Sequence, residues 1–360
     1  MTVFGWSQPV VEVSRFGPDP LLAVIRAREA RGKTVCVLRR TSSGFLDSRD
    51  VVAQPIFSTM RTIIFVALAA LGIIFVTRWS LAIRSSAAGG EAGFRWPSGL
   101  QTVIGFVTNF FDTLGIGSFA PTTSWYKLQN VVPDERIPGT MHVGHTPPVI
   151  VQAFIFIAII EVDLMTLSVM IGASVVGAWL GAGVVAGWPR RNIQIGMGVA
   201  LLLAGASFVA ANLGYAPVGG EDLGLSGVAL GVAATGSFIL GALMTLGIGM
   251  YAPSMIMISL LGMNPAVAFP IMMGSSAFLM PVAALRFLKA GAYSVRPALG
   301  LSLGGLPAVM IAAFIVRSLS LTTMRWLVVV VVSYAAVAML RSVYLERGEL
   351  PREAAPAESV

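Results

Sequence analysis

Nine residues, TLGIGSFAP at Thr113–Pro121, return as TLGIGMYAP at Thr245–Pro253, with seven of nine letters identical and an offset of 132 positions. Each copy holds two glycines and a proline, so neither simply continues a helix. Long apolar runs flank both, so neither reads as an ordinary surface loop. The same offset matches Phe106 with Phe238, Pro138 with Pro270 and Gly172 with Gly304. The chain therefore reads as two versions of one unit, over residues 98–213 and 224–345. Each unit runs as an apolar helix, a glycine break, a short second helix, a proline-containing connection and three more helical runs. GYAPVGGEDLG (214–224) is the hinge between them. Repeats of this kind are a common build of secondary transporters.

The apolar runs decide the solvent. With 56% hydrophobic and 11% charged residues, the chain carries less than half the charge of an average soluble domain, about 25%. Lipid must cover much of such a surface. Stretches at 62–77, 98–120, 146–160, 165–187, 193–213, 224–249, 266–285, 298–316 and 326–340 approach the ~20 apolar residues that a bilayer crossing needs. The expected fold is all-α and polytopic, with eight or nine transmembrane helices. It comprises two related, inverted repeats, each with a glycine-broken helix, and an extra N-terminal helix. Residues 1–60 read as a soluble extension, with LLAVIRAREARGK (21–33) as a short amphipathic helix and TVCVLRR (34–40) as a strand. Residues 61–97 hold the extra helix and a linker, and 346–360 are a polar tail. The first apolar run begins only after Arg61, too late for a cleaved leader.

Charge in the loops suggests the sidedness. IEVDLM (160–165) is acidic, whereas KAGAYSVR (289–296) and PRR (189–191) are basic. Basic loops mark the cytoplasmic side, so the two units are expected to point in opposite directions with the C-terminus inside. The same rule, with 62–77 as a full span, sends the basic N-terminal tail outside, against its own charge. The expected location is the cytoplasmic (inner) membrane.

At membrane depth a broken helix is tolerated only where protein or a wet cavity receives the freed backbone groups. Gly115, Gly117, Gly247 and Gly249 supply the turn. Pro121 and Pro253 suit the first turn of the next helix, where an N–H is not needed. Each fresh helix start offers unpaired N–H groups and the positive end of a dipole, which together suit an anion. Thr113, Ser118 and Thr122 in the first unit, with Thr245, Tyr251 and Ser254 in the second, add hydroxyls. These twelve residues form the candidate substrate site. Asn109 and Asp112 precede the first break, and the second unit has Gly241 and Met244 there. An aspartate at that depth is costly and marks function by default; it either takes a coupling proton or cation, or braces the broken backbone. His142 and His145, the only histidines, share a helix face at a spacing of three. They are further coupling candidates, as a proton relay or an anion contact.

With these residues in view, the chain resembles the TauE/SafE family of membrane permeases, often labelled sulfite exporters. The resemblance rests on Gly115, Gly117 and Pro121, on Gly247, Gly249 and Pro253, and on the small-residue segments GTMHVGHTPP (139–148) and MGSSAF (273–278). It covers about residues 98–345. Where many members carry GIGGG, this chain has GIGSF and GIGMY, as a divergent branch would. The resemblance implies transport of a small anion such as sulfite, an organosulfonate or a related carboxylate.

The expected function is thus a secondary anion permease, with a passive anion channel or a membrane-embedded enzyme or sensor as alternatives. Its expected partners are a small anion, the lipid bilayer and a coupling proton or cation; neither nucleic acid nor cofactor is expected. No Walker sequence points to direct use of ATP. H-E-x-x-H and a paired intramembrane aspartate are both missing, so no hydrolase is expected. One cysteine, Cys36, excludes a disulfide framework within one chain. Two histidines without a third ligand make a poor metal site.

Overall fold

A computed structural model of the protein describes residues 11–15, 22–29, 32–39, 48–88, 96–185, 190–215, 220–244 and 249–346. The chain divides into two compact units, Met1–Met60 and Arg61–Val360.

The first unit carries a three-stranded antiparallel sheet in the order β1 (Val11–Arg15), β2 (Leu22–Glu29), β3 (Gly32–Arg39). Residues 22–29 are therefore a strand, and the helix expected over 21–33 is corrected. Eight residues are too few to separate a period of 2 from one of 3.6. Pairing across to TVCVLR decides it, with Ile25 opposite Cys36 and Val24 opposite Val37.

From Ser48 onward the described elements are helical. After α1 (Ser48–Ala88) come α2 (Gly99–Thr113), α3 (Phe119–Leu128), α4 (Ile137–Ile159), α5 (Leu164–Val185) and α6 (Arg190–Asn212). Then follow α7 (Gly227–Met244), α8 (Tyr251–Leu260), α9 (Ala268–Ala290), α10 (Val295–Ser318) and α11 (Leu321–Glu346). Adding 132 to the bounds of α3 gives those of α8, and the other four pairs agree within a few residues. Single 3-10 turns at Asp134–Arg136 and Pro265–Val267 lead into α4 and α9. Among the described residues, six helices are long and apolar enough to cross a membrane, and three shorter apolar helices accompany them.

Residues 98–120 do not form one crossing. A capping box starts α2: the Ser98 hydroxyl accepts from the Gln101 N–H, and the Gln101 side chain accepts from the Ser98 N–H. The helix then ends after 15 residues, about 22 Å, against a hydrocarbon core of about 30 Å. Gly115 N–H donates to the Asp112 carbonyl (2.8 Å) and Ile116 N–H to the Phe111 carbonyl (3.1 Å). This is a Schellman closure, with Gly115 at φ +94°. The chain then turns back. Tyr126 of α3 packs in one cluster with Ile104 of α2 and Ile137 of α4, and Thr123 meets Met141. The second unit does the same: the two ends of its broken pair meet where Asp222 bridges Met263 and accepts from the Asn264 N–H.

Contacts between helices set their directions. α4 runs alongside α10, since Thr140 meets Ser294, Gly144 meets Ser302 and Gly305 lies against Pro148. It runs against α9, since Gly139 meets Phe287 while the Phe156 ring lies 5.2 Å from that of Phe269. It also runs against α1, where Phe65 stacks on Phe154 and Phe75 and Trp79 cluster with Val143. α2 and α10 start at one end, where Arg296 donates to the Trp96 carbonyl. α5 and α7 start at the other, where Leu225 N–H donates to the Thr166 hydroxyl and Asp163 caps α5. The two repeats therefore run in opposite directions and exchange partners, α2 with α10 and α5 with α7. One end carries Arg84, Lys127, Arg136, Lys289, Arg296 and Arg341, with Asp134 and Glu135. The other carries Glu161, Asp163, Glu221 and Asp222, with Arg61, Arg317 and Arg325.

Close crossings make this exchange feasible. A Cβ on Gly105 would strike the Gly300 carbonyl, one on Gly241 the Ser174 carbonyl, and one on Gly177 the Phe238 carbonyl. Gly177 belongs to the run of small residues in α5, which serves packing.

Candidate functional site

The first break holds a buried polar cluster. Asp112 and Thr113 close α2, Ser118 precedes α3, and Thr122 follows Pro121 in its first turn. Asn109 lies one turn before Asp112, and α4 brings His145 and Gln152 alongside. All seven side chains are at most 2% exposed.

Two linked chains of hydrogen bonds order them. In one, the Asn109 amide donates to the carbonyls of Gly105 (2.7 Å) and Leu301 (3.3 Å), which leaves its oxygen facing His145 Nδ1 at 3.0 Å. An amide oxygen only accepts, so Nδ1 carries the proton. The other ring nitrogen, Nε2, then accepts from the Thr122 hydroxyl at 3.0 Å. The network thus fixes which tautomer the neutral ring takes. In the other chain, Gln152 Nε2 donates to Asp112 Oδ2 (2.9 Å) and to Thr113 Oγ1 (2.8 Å), and Thr113 donates onward to the Asn109 carbonyl (2.7 Å). The Ser118 hydroxyl and N–H also lie within reach of the Asp112 carboxylate. The start of α3 therefore meets a carboxylate from its own chain.

His142 stands apart from this cluster. Its Nδ1 bonds the Pro138 carbonyl at 2.8 Å, and its ring lies between Phe119 and Phe287 at 5.0 and 5.3 Å. Phe119, at the start of α3, also touches His145 at 6.0 Å. The two histidines share a face, but only His145 joins the break.

The first break packs against helices of the second repeat. A Cβ on Gly115 would lie 2.5 Å from the Met255 methyl and 3.5 Å from that of Met272, so the first turn rests on α8 and α9. Gly117 takes φ +90° and faces open space, as does Gly249. Tyr251 at the start of α8 is buried and lies within electrostatic reach of Asp112. Ser254 is buried in the same turn, and its N–H donates to the Met250 carbonyl at 3.0 Å. The equivalent bond in the first repeat joins Thr122 to Ser118, also at 3.0 Å. Thr245 and Gly247 lie outside the described residues.

The cluster is not repeated. At the same offset, Asn109, Asp112, His145 and Gln152 become Gly241, Met244, Ala277 and Ala284. One repeat carries the acid and the histidine; the other carries a helix start with hydroxyls and no acid of its own in the corresponding place. Gln152 escaped notice in the sequence, although it is the one amide within PPVIVQAFIFIAII (147–160). A groove of about 600 Å³ opens along α7 and α8, lined by Val228, Val232, Thr235 and Met257 among others, and none of the cluster residues borders it.

No family model, curated protein or solved structure matches the chain.

Removing the Thr122 hydroxyl should leave His145 Nε2 without a donor. Thr122→Val is expected to lower stability by about 1–2 kcal/mol. Thr122→Ser, which keeps the donor, should recover most of that loss. Thermal midpoints of the purified variants check both.

Proposed function

We propose that the protein is a secondary transporter for a small anion. The observation that carries the reading is the meeting of two broken helices from oppositely directed repeats, with the Gly115 turn resting on α8. Inverted repeats with interrupted helices near the bilayer midplane are how several transporter folds build a binding site. Of the two helix starts, that of α3 already faces Asp112, whereas that of α8 has Met244 in the corresponding place. The anion binds where the two starts meet, with Tyr251 and Ser254 on the α8 side and Thr122 on the other. Its charge class follows from the α8 helix start. The permease resemblance, read from Gly115, Gly117, Pro121 and their counterparts, agrees and suggests sulfite, sulfonates or small carboxylates.

The end rich in Lys and Arg faces the cytoplasm by the rule that basic loops stay inside. On that reading α1 starts from the outer face.

A ligand that binds only the folded state raises its stability, by about 2.7 kcal/mol at 100 times its Kd. One anion among sulfite, taurine-like sulfonates, sulfoacetate and short carboxylates is expected to raise the thermal midpoint of purified protein saturably. If every anion in that set leaves the midpoint where chloride leaves it, the anion reading fails.

A further inference from the structure

We propose that Asp112 and Gln152 hold a monovalent, sodium-sized cation at the first helix break, and that this cation is the coupling ion. The coupling half rests on the transporter reading above; the cation site itself does not.

Three independent features meet at this point. Gln152 is fully buried, and its Oε1 has no hydrogen-bond partner. The amide cannot simply be turned over. Thr113 Oγ1 spends its own proton on the Asn109 carbonyl, so Gln152 must present its NH₂ group to Thr113 and to the carboxylate. The orphan is therefore an acceptor, and a buried acceptor without a donor costs about 1–3 kcal/mol. Next, Asp112 is 2% exposed, and the one ion pair among the described residues, Lys127 with Asp134 at 3.7 Å, involves neither it nor its neighbours. Its hydrogen-bond donor is the neutral Gln152 amide, with Ser118 within reach. Finally, Asp112 and Thr113 are the last residues of α2, where the negative end of the helix dipole adds to the same field.

A carboxylate, an orphan amide oxygen and a helix C-terminus together suit a hard cation held by oxygen. One carboxylate balances one positive charge, so a divalent ion would leave a net charge in the membrane interior. Softer metals are disfavoured, because no group of three His, Cys, Asp or Glu occurs among the described residues. A proton on Asp112 would neutralise the carboxyl and let the Gln152 amide turn over to accept from it, but its NH₂ group would then be unanswered; a cation leaves neither group orphaned. Coupling then follows from proximity. Tyr251, at the α8 start where the anion binds, lies within electrostatic reach of Asp112. A cation on Asp112 removes the repulsion that the carboxylate would exert on an incoming anion.

The test uses purified full-length protein in choline chloride at constant ionic strength, titrated with sodium chloride and, in parallel, potassium chloride. Thermal midpoint and radiolabelled sodium binding are read together. The expected result is a saturable sodium response that potassium does not match, with apparent affinity weakened at least about tenfold in Asp112→Asn and in Gln152→Leu. The wild-type titration decides the matter even if a variant fails to fold. No saturable response up to about 200 mM sodium, or a response to pH alone, overturns the site. Anion exchange that ignores sodium overturns the coupling and leaves the transporter reading standing. Sodium binding without any anion exchange leaves the cation site standing and overturns the transporter reading together with the coupling.

Discussion

Gly304→Leu is expected to cost more than about 3 kcal/mol and to leave little folded protein after extraction from the membrane, because α2 and α10 touch backbone to backbone there. A Cβ on Gly304 would strike the Thr102 carbonyl and lie 2.7 Å from the Phe106 nitrogen. Neither is the end of a flexible side chain, so neither can swing aside. Even Gly304→Ala should be clearly destabilising. Gly172 occupies the same place in the other repeat, yet it is exposed and nothing lies within 4 Å of its Cβ position. Gly172→Leu is therefore expected to change stability by no more than about 0.5 kcal/mol. Size-exclusion profiles and thermal midpoints of the two variants measure the contrast. Equal losses at both positions would contradict the helix exchange between repeats.

Asp112→Asn should abolish concentrative uptake, lowering accumulation by more than about tenfold, while the protein still inserts and folds. Asparagine keeps the shape, so Gly115 and its Schellman closure are untouched. It accepts with one oxygen only, so a donor on the other side will face an amide NH₂. That mismatch costs about 1–3 kcal/mol, which weakens the fold without ending it. The functional loss is larger because Asp112 is the only buried acid among the described residues. Without it, no buried acid remains among the described residues to bind a cation and tie the anion's movement to a gradient. Uptake that keeps its full accumulation and its ion dependence would remove Asp112 from coupling. The expected divergence between folding and uptake separates this role from a purely structural brace.

Much of this architecture is legible in the residues themselves. The phrase around Gly115 and Gly117 and its copy locate the breaks, and the offset of 132 carries over to the bounds of α3 and α8. Asn109, Asp112 and His145 stand out because polar groups are expensive in apolar helices. The reversal after the first break is not legible: glycines permit either continuation or return, and the choice depends on Tyr126 packing back onto Ile104 and Ile137. Gln152 is hidden because an uncharged amide carries little weight in a sequence, and its importance arises only when α4 sets it beside Asp112. The misread strand at 22–29 has a similar origin, since Ala, Arg and Glu favour a helix until β3 offers a partner. The asymmetry between repeats is visible in the letters, as Asp112 against Met244. Its meaning depends on knowing that Asp112 turns toward the start of α3.

Substrate counterflow asks most directly whether the two breaks form one moving site. Vesicles containing the purified protein are loaded with a stabilising anion and diluted into a trace of the same anion carrying a radiolabel. A carrier that exposes one site to each side in turn predicts a transient overshoot of label inside the vesicles, above the outside concentration. Label that only drifts to equilibrium, or enters no faster than in protein-free vesicles, would contradict it.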